Sequence, residues 1–175
     1  MRIVTWNVNG LRAAIRKGFQ KHLDAIHPDI LLLQEVRARP EQLPDEFQHP
    51  DGWHVVWNPA QRPGYSGTAI WSRTPINVVK LALSDSAQDD EGRIIEADIR
   101  GIRLACVYLP SGSSGFERQT IKESWMKKFR RWTDSRPNDM PMFFGATSMC
   151  ARKKTSSMQR PTRKHRGSCR TNVSG

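Results

Sequence analysis

The 175-residue sequence predicts an α/β fold, with sheets packed together and helices on the outside. Three observations point to it. Short apolar runs of strand composition recur along most of the chain. Two longer stretches switch to an apolar period of three and four, and turn-forming clusters separate the segments. The length suits one domain with a real core and is too short for two ordinary ones.

In chain order, Arg2–Val8 is a β-rich run that closes in the turn signal Asn7-Val8-Asn9-Gly10. Leu11, Ile15, Phe19, Leu23 and Ile26 then recur at steps of three and four, with Arg12, Arg16, Lys17, Lys21 and Asp24 between them. That pattern predicts one amphipathic helix, stopped by His27-Pro28-Asp29. Ile30-Leu31-Leu32-Leu33 is a fully apolar strand ending in Gln34-Glu35-Val36. Further strands are expected at Trp53–Trp57, Gly67–Trp71, Ile76–Leu81, Ile94–Ile99 and Ile102–Leu109. Phe116, Ile121, Trp125 and Phe129 space out as the packed face of a second helix, and Met140–Phe144 reads as one more buried strand.

After Gly145 apolar periodicity ends. Residues 146–175 hold eight Lys and Arg and no Asp or Glu; the other 20 Lys and Arg stand against all 17 acids, a net of +3. Most of the formal charge of +11 therefore belongs to the tail, and the body gives only weak support for a phosphate-backbone partner. A basic disordered arm is one reading of this tail. The three cysteines, Cys106, Cys150 and Cys169, are scattered and odd in number, which argues against a disulfide framework or a zinc site. Cys106 reads as a small core residue. No apolar run reaches the roughly 20 residues of a membrane span, and the N-terminus lacks signal-peptide organisation. The expected compartment is the cytoplasm.

Four positions invite a chemical reading. Glu35 places a carboxylate at the end of a buried strand, where a hard divalent cation finds an oxygen ligand. Asn7 and Asn9 close the first strand, so amide and carboxylate groups meet if the two strand ends share a sheet edge. Tyr108 ends Leu104–Leu109 and precedes Pro110-Ser111-Gly112-Ser113-Ser114-Gly115, a loop whose backbone N–H groups suit a phosphate. Each also has a plainer reading. Glu35 serves equally as a solvated acid, Asn7 and Asn9 as turn formers, Tyr108 as core filling with its hydroxyl at the rim, and the Gly/Ser loop as a flexible turn.

The order of the motifs is more specific than any one of them. Trp6-Asn7-Val8-Asn9-Gly10-Leu11-Arg12-Ala13 is followed by Pro28-Asp29-Ile30-Leu31-Leu32-Leu33-Gln34-Glu35. Then come Gly64-Tyr65-Ser66-Gly67-Thr68-Ala69-Ile70 with Ser72-Arg73, Glu91-Gly92-Arg93, and Val107-Tyr108-Leu109-Pro110-Ser111-Gly112. In sequence and spacing this series resembles the N-terminal half of the exonuclease III / AP endonuclease family. The resemblance implies a four-layered α/β sandwich of the DNase I-like type, incomplete in this chain. It implies metal-dependent hydrolysis of DNA phosphodiesters as a 3′-5′ exonuclease and abasic-site endonuclease in DNA repair. The cofactor would be Mg2+, with Mn2+ as the other candidate, the substrate double-stranded DNA with abasic sites or 3′ ends, and the complete protein a monomer. By the same resemblance Glu35 is the metal ligand and Asn7 orients the reacting phosphate. Asn9 falls where some relatives carry a metal-associated Asp, so its amide binds a cation more weakly. Tyr108 contacts the scissile phosphate, with Ser111 and Gly112 beside the substrate.

The family pattern continues from the strand at Met140–Phe144 into Gly-Asp-x-Asn, and later into a second sheet and an Asp-His pair. Here Gly145 is followed by Ala146-Thr147-Ser148-Met149-Cys150, so the water-positioning Asp and Asn and the late His are absent. Read one base out of step, Ala146–Cys150 permits Asp-Phe-Asn-Val. The same offset over Lys164–Gly175 permits Thr-Ser-Gly-Phe-Leu-Pro-His-Glu-Arg-Glu-Trp, close to a downstream family segment. The expectation is a one-base deletion near codons 145–146, which makes residues 1–145 the N-terminal half of a nuclease domain and 146–175 a disordered by-product of a shifted frame. Ile30–Leu33 and Leu104–Leu109 are apolar enough to need cover on both faces, part of which is then expected to be missing. Two other readings stand beside this one: a non-catalytic DNA-binding fragment that uses the basic tail, and a pseudogene product that does not fold.

Overall fold

The computed structural model describes residues 1–83, 90–111, 116–136 and 142–147. Gly112 and residues 148–175 of the basic tail, along with Met140, lie outside the described residues.

Two four-stranded sheets are present among the described residues. The first has the order β1-β2-β4-β3, formed by β1 (Ile3–Asn7), β2 (Ile30–Gln34), β3 (His54–Asn58) and β4 (Thr68–Ser72). β1 runs parallel to β2, and β4 is antiparallel to both β2 and β3. The second sheet has the order β5-β6-β7-β8, from β5 (Asn77–Lys80), β6 (Ile94–Ile99), β7 (Ile102–Tyr108) and β8 (Met142–Thr147). Here β6 is antiparallel to both β5 and β7, and β8 runs parallel to β7. The expectation that a second sheet has to come from further sequence is therefore corrected.

The side-chain period of two on a strand sorts the apolar residues into layers. Leu31 and Leu33 face outward with Ala69 and Trp71, against Leu11, Phe19, Leu23 and Phe47 of the helices. Ile30 and Leu32 face inward with Ile70, and meet Ile95, Ala97, Ile99, Leu104 and Cys106 of the second sheet. Ala105 and Val107 point out of the far side, toward Trp125, Phe129 and Trp132. The result is four layers: helices, sheet, sheet, helix. Ile30–Leu33 and Leu104–Val107 are all buried. The cover expected to be missing is supplied by this chain, because each sheet shields one face of the other.

The first helical pattern resolves into α1 (Leu11–Arg16) and α2 (Phe19–Ile26) rather than one helix. Gly18 sits between them at φ +94°, a conformation glycine adopts without a Cβ penalty. The periodic signal survives the break because Leu11, Phe19 and Leu23 still reach the same core. A short 3-10 turn (Pro40–Gln42) and α3 (Asp45–Gln48) follow β2, and α3 delivers Phe47 to that core. On the other side α4 (Phe116–Asp134) packs by its second half, while Ile121, expected on the packed face, is exposed. β8 runs past Gly145, and Ala146 and Thr147 pair with Val107 and Tyr108. The regular structure thus extends two residues beyond the point where apolar periodicity ends.

Gln34 and Cys106 tie the layers together. The buried Gln34 amide donates to Thr5 Oγ1 at 3.0 Å, to Cys106 Sγ at 3.3 Å and to the Gly145 carbonyl at 3.5 Å. It links β2 to β1 and to both β7 and β8 of the opposite sheet. The Cys106 thiol donates to the Leu33 carbonyl at 3.3 Å, and burial pushes its pKa up to about 12.

Candidate active site

β1 and β2 are parallel and in register from Ile3↔Ile30 to Asn7↔Gln34, so their C-terminal ends coincide. This register brings Asn7 beside Glu35, the residue after β2. Asn7 Nδ2 donates to Glu35 Oε1 at 2.8 Å, and Asn7 Oδ1 accepts the Asn9 N–H at 2.9 Å, an Asx turn. Asn7 therefore forms the expected turn and also holds a carboxylate. Asn9 is exposed at the rim.

Glu35 is only 1% exposed, which rules out the solvated-acid reading. Its second oxygen, Oε2, accepts from Arg37 Nη2 at 2.6 Å. Tyr108, at the end of β7 in the other sheet, also hydrogen-bonds Glu35. Burial first, then the Glu35 charge and that hydrogen bond, push the Tyr108 phenol up to about 12, against an opposing pull from Arg93. The phenol therefore stays protonated near neutral pH and is available as a donor. Residues from positions 7, 35 and 108 thus meet where the two sheets end. Ser111 stands half-buried three residues beyond β7.

The backbone here departs from regular strand geometry. Asn9, Glu35, Arg37 and Ser66 all have φ between +46° and +54°. Left-handed residues other than glycine cost roughly 1 kcal/mol each and cluster where function fixes geometry. The turn is held by hydrogen bonds from Gly10 N–H to the Glu35 carbonyl (2.8 Å) and from Arg37 N–H to the Ser66 carbonyl (2.8 Å). Ser66 Oγ is buried with no partner among the described residues.

Three participants escaped the residue-by-residue reading. Arg93 is 1% exposed and donates to Glu91 Oε2 (2.5 Å), the Tyr108 carbonyl (3.1 Å) and Tyr65 Oη (3.1 Å). Its guanidinium lies 4.8 Å from the Tyr108 ring centroid. Arg93 and Tyr65 both fall in motifs whose order was noted, so a signal existed, but nothing local assigned them to Tyr108. Arg37 had only its position two residues after Glu35. The motif between Glu91 and Arg93 is also a clamp: Gly92, at φ +58°, packs so tightly that a Cβ would lie 2.1 Å from the Asn58 carbonyl oxygen.

A hard divalent cation takes one or two carboxylates and fills its shell with water and phosphate oxygens. One buried carboxylate at a strand end, with neutral amides beside it, fits that requirement. Among the described residues no group of three His, Cys, Asp or Glu is assembled, as a closed zinc site would need.

Two sheets between helices, with a carboxylate, an amide and a phenol converging at the strand ends, define the class of the DNase I-like α/β sandwiches. The profile of the Endonuclease/Exonuclease/phosphatase family matches residues 4–145, and the chain belongs to this family. It is 37% identical over 127 residues to an exodeoxyribonuclease of Bacillus subtilis, covering 71% of this chain and 49% of that protein. It is 34% identical to a DNA repair nuclease of Danio rerio, covering 75% and 43% respectively. Among solved structures, an AP endonuclease from Archaeoglobus fulgidus superposes with a TM-score of 0.67 at 31% identity, over 79% of this chain and 53% of that one. A 3′-5′ exonuclease from Neisseria meningitidis gives 0.66 at 30% identity, over 76% and 51%. The chain spans about half the length of the curated relatives it matches. No described helix is long and apolar enough to cross a membrane.

Proposed function

We propose that this chain carries the N-terminal half of a divalent-metal-dependent DNA phosphodiesterase, acting at abasic sites and 3′ ends of double-stranded DNA. The observation that carries the reading is the convergence of Asn7, Glu35 and Tyr108 at the ends of three strands. Glu35 would hold Mg2+ or Mn2+, with Asn9 as a weaker amide ligand. The metal, when bound, supplies Lewis-acid stabilisation of charge on phosphate oxygens. Asn7 orients the Glu35 carboxylate. Tyr108, kept protonated, donates to a phosphate oxygen, and Arg93 fixes the phenol from behind. Ser111 and Gly112 are assigned to the substrate side on resemblance alone.

The water-positioning Asp and the late His of the family have no counterpart here, so the 175-residue chain is expected to be inactive by itself. Catalytic groups act as a unit, and losing several removes most of the acceleration. We assign residues 146–175 to a shifted frame, and the repaired protein to the cytoplasm as a monomer. The test is an abasic-duplex cleavage assay with Mg2+ on this chain and on a frame-repaired version. The expected result is no cleavage by the first and Glu35-dependent cleavage by the second. Cleavage by the 175-residue chain, abolished by Glu35→Ala, would show that the half-site suffices. A repaired protein that binds DNA without cutting it would favour the DNA-binding alternative.

A further inference from the structure

The Glu35 carboxylate already has a cation at contact distance. Arg37 Nη2 lies 2.6 Å from Oε2, while Oε1 is held by Asn7 Nδ2 at 2.8 Å. Asn7 and Tyr108 are neutral donors and tolerate a metal ion nearby. A guanidinium does not, because two positive charges a few ångströms apart repel strongly in a poorly solvated pocket.

The two partners are unequal. The Glu35 side chain is 2% exposed and that of Arg37 is 41% exposed. Glu35 is also locked at its backbone, with its carbonyl accepting the Gly10 N–H at 2.8 Å. Apart from this ion pair, Arg37 is held at its backbone by its N–H to the Ser66 carbonyl at 2.8 Å, and its side chain is partly open to solvent. Withdrawal of Arg37 therefore moves a part-exposed side chain further into water and needs only a replacement cation at Glu35, whereas withdrawal of Glu35 would expose a buried strand end.

We propose that Arg37 is an internal counter-cation for Glu35, and that a divalent cation binds only when the guanidinium swings out. The inference rests on the reading of Glu35 as the metal ligand and adds a competitor to it. In the metal-free protein Arg37 neutralises a carboxylate that would otherwise be buried with its charge uncompensated. Arg37 thereby sets the metal concentration at which the site fills. This separates it from Arg39, whose guanidinium donates to the Gln61 carbonyl at 3.0 Å.

The test uses Tb3+, a hard oxygen-seeking probe whose emission is sensitised by a nearby phenol such as Tyr108. The 175-residue chain is titrated alongside Arg37→Gln, Arg39→Gln and Glu35→Gln, each checked first by thermal melt. Arg37→Gln is expected to bind about tenfold tighter or more, the size of a typical coupling between competing ligands. Arg39→Gln, which loses the same charge without touching Glu35, is expected to bind as the parent does. If the Gln variant fails the melt, Arg37→Met keeps the stem packing and carries the same expectation. Equal or weaker binding by the Arg37 variants overturns the proposal. So does equal tightening by Arg39→Gln, which would mark a general field effect. Emission indifferent to Glu35→Gln removes the metal-ligand reading itself, and this inference with it.

Discussion

Among the described residues two glutamates lie buried beside arginines, one at the tip of β2 and one in the middle of β6. Glu96, on β6, is fully enclosed. Its Oε1 accepts from Arg103 at 2.7 Å, and its Oε2 accepts from Trp132 Nε1 at 3.2 Å and from Arg136. Arg103 also pairs with Asp98 and closes the network. Every donor comes from β7, from α4 or from the residues just after it, so the cluster fastens helix to sheet in regular backbone. Glu35 is equally buried, but it sits at φ +54° with a single, partly exposed arginine and two neutral donors. One carboxylate is saturated with buried donors; the other has a single charged partner that is partly exposed. The contrast teaches that burial alone does not tell the two acids apart. The exposure of the counter-ion and the strain of the backbone do.

The largest effect should come from Glu96→Gln. Removing the charge leaves two arginines facing an amide in a closed environment, and the expected loss is about 3–5 kcal/mol of unfolding free energy. Urea denaturation of this variant would break the comparison if the loss fell below that of Glu35→Gln. For Glu35→Gln the expected loss is under about 1 kcal/mol, because Arg37 can rehydrate and the amide oxygen still accepts from Asn7 or Tyr108. A small gain in stability would sharpen the contrast further, since strained functional positions are often stabilised by substitution.

The smallest effect concerns acid. The hydrogen bond from Arg103 holds the Asp98 carboxyl below the usual carboxylate range. A depressed folded-state pKa means that its contribution is fully present above the unfolded value, about 3.9. It is lost as pH falls from there through the lower folded value. Because Asp98 is partly solvated, Asp98→Asn should flatten only slightly the acid limb of stability against pH. An unchanged limb would mean that Arg103 spends its charge on Glu96 alone.

Much of this architecture was legible in the residues. The run Ile30–Leu33 announced a strand buried on both faces, and its alternate residues do feed two different cores. Asn7 and Glu35 were expected to meet if their strand ends shared a sheet edge, and the parallel register of β1 and β2 supplies that condition. What escaped were pairings between distant segments. No local pattern says that β4 inserts between β2 and β3, or that the eight strands among the described residues divide evenly into two sheets. Arg93 reaches Tyr108 only because antiparallel β6 and β7 set Ile94 opposite Val107, which places the next pair, 93 and 108, side by side. The break between α1 and α2 was hidden for the opposite reason. Its apolar residues keep their period across Gly18, so the signal that reveals a helix also conceals its interruption.

The seam between the sheets also has a kinetic meaning. Cys106 is wholly enclosed there, its thiol bonded to Leu33 and raised to about 12. At neutral pH so little thiolate exists, and so little of it is reachable, that electrophiles have no route to the sulfur in the closed sandwich. Modification of Cys106 has to wait for the layers to part. The sulfur is thus a built-in clock for the opening of this interface, running at the rate of sub-global unfolding and indifferent to the chemistry at the strand ends.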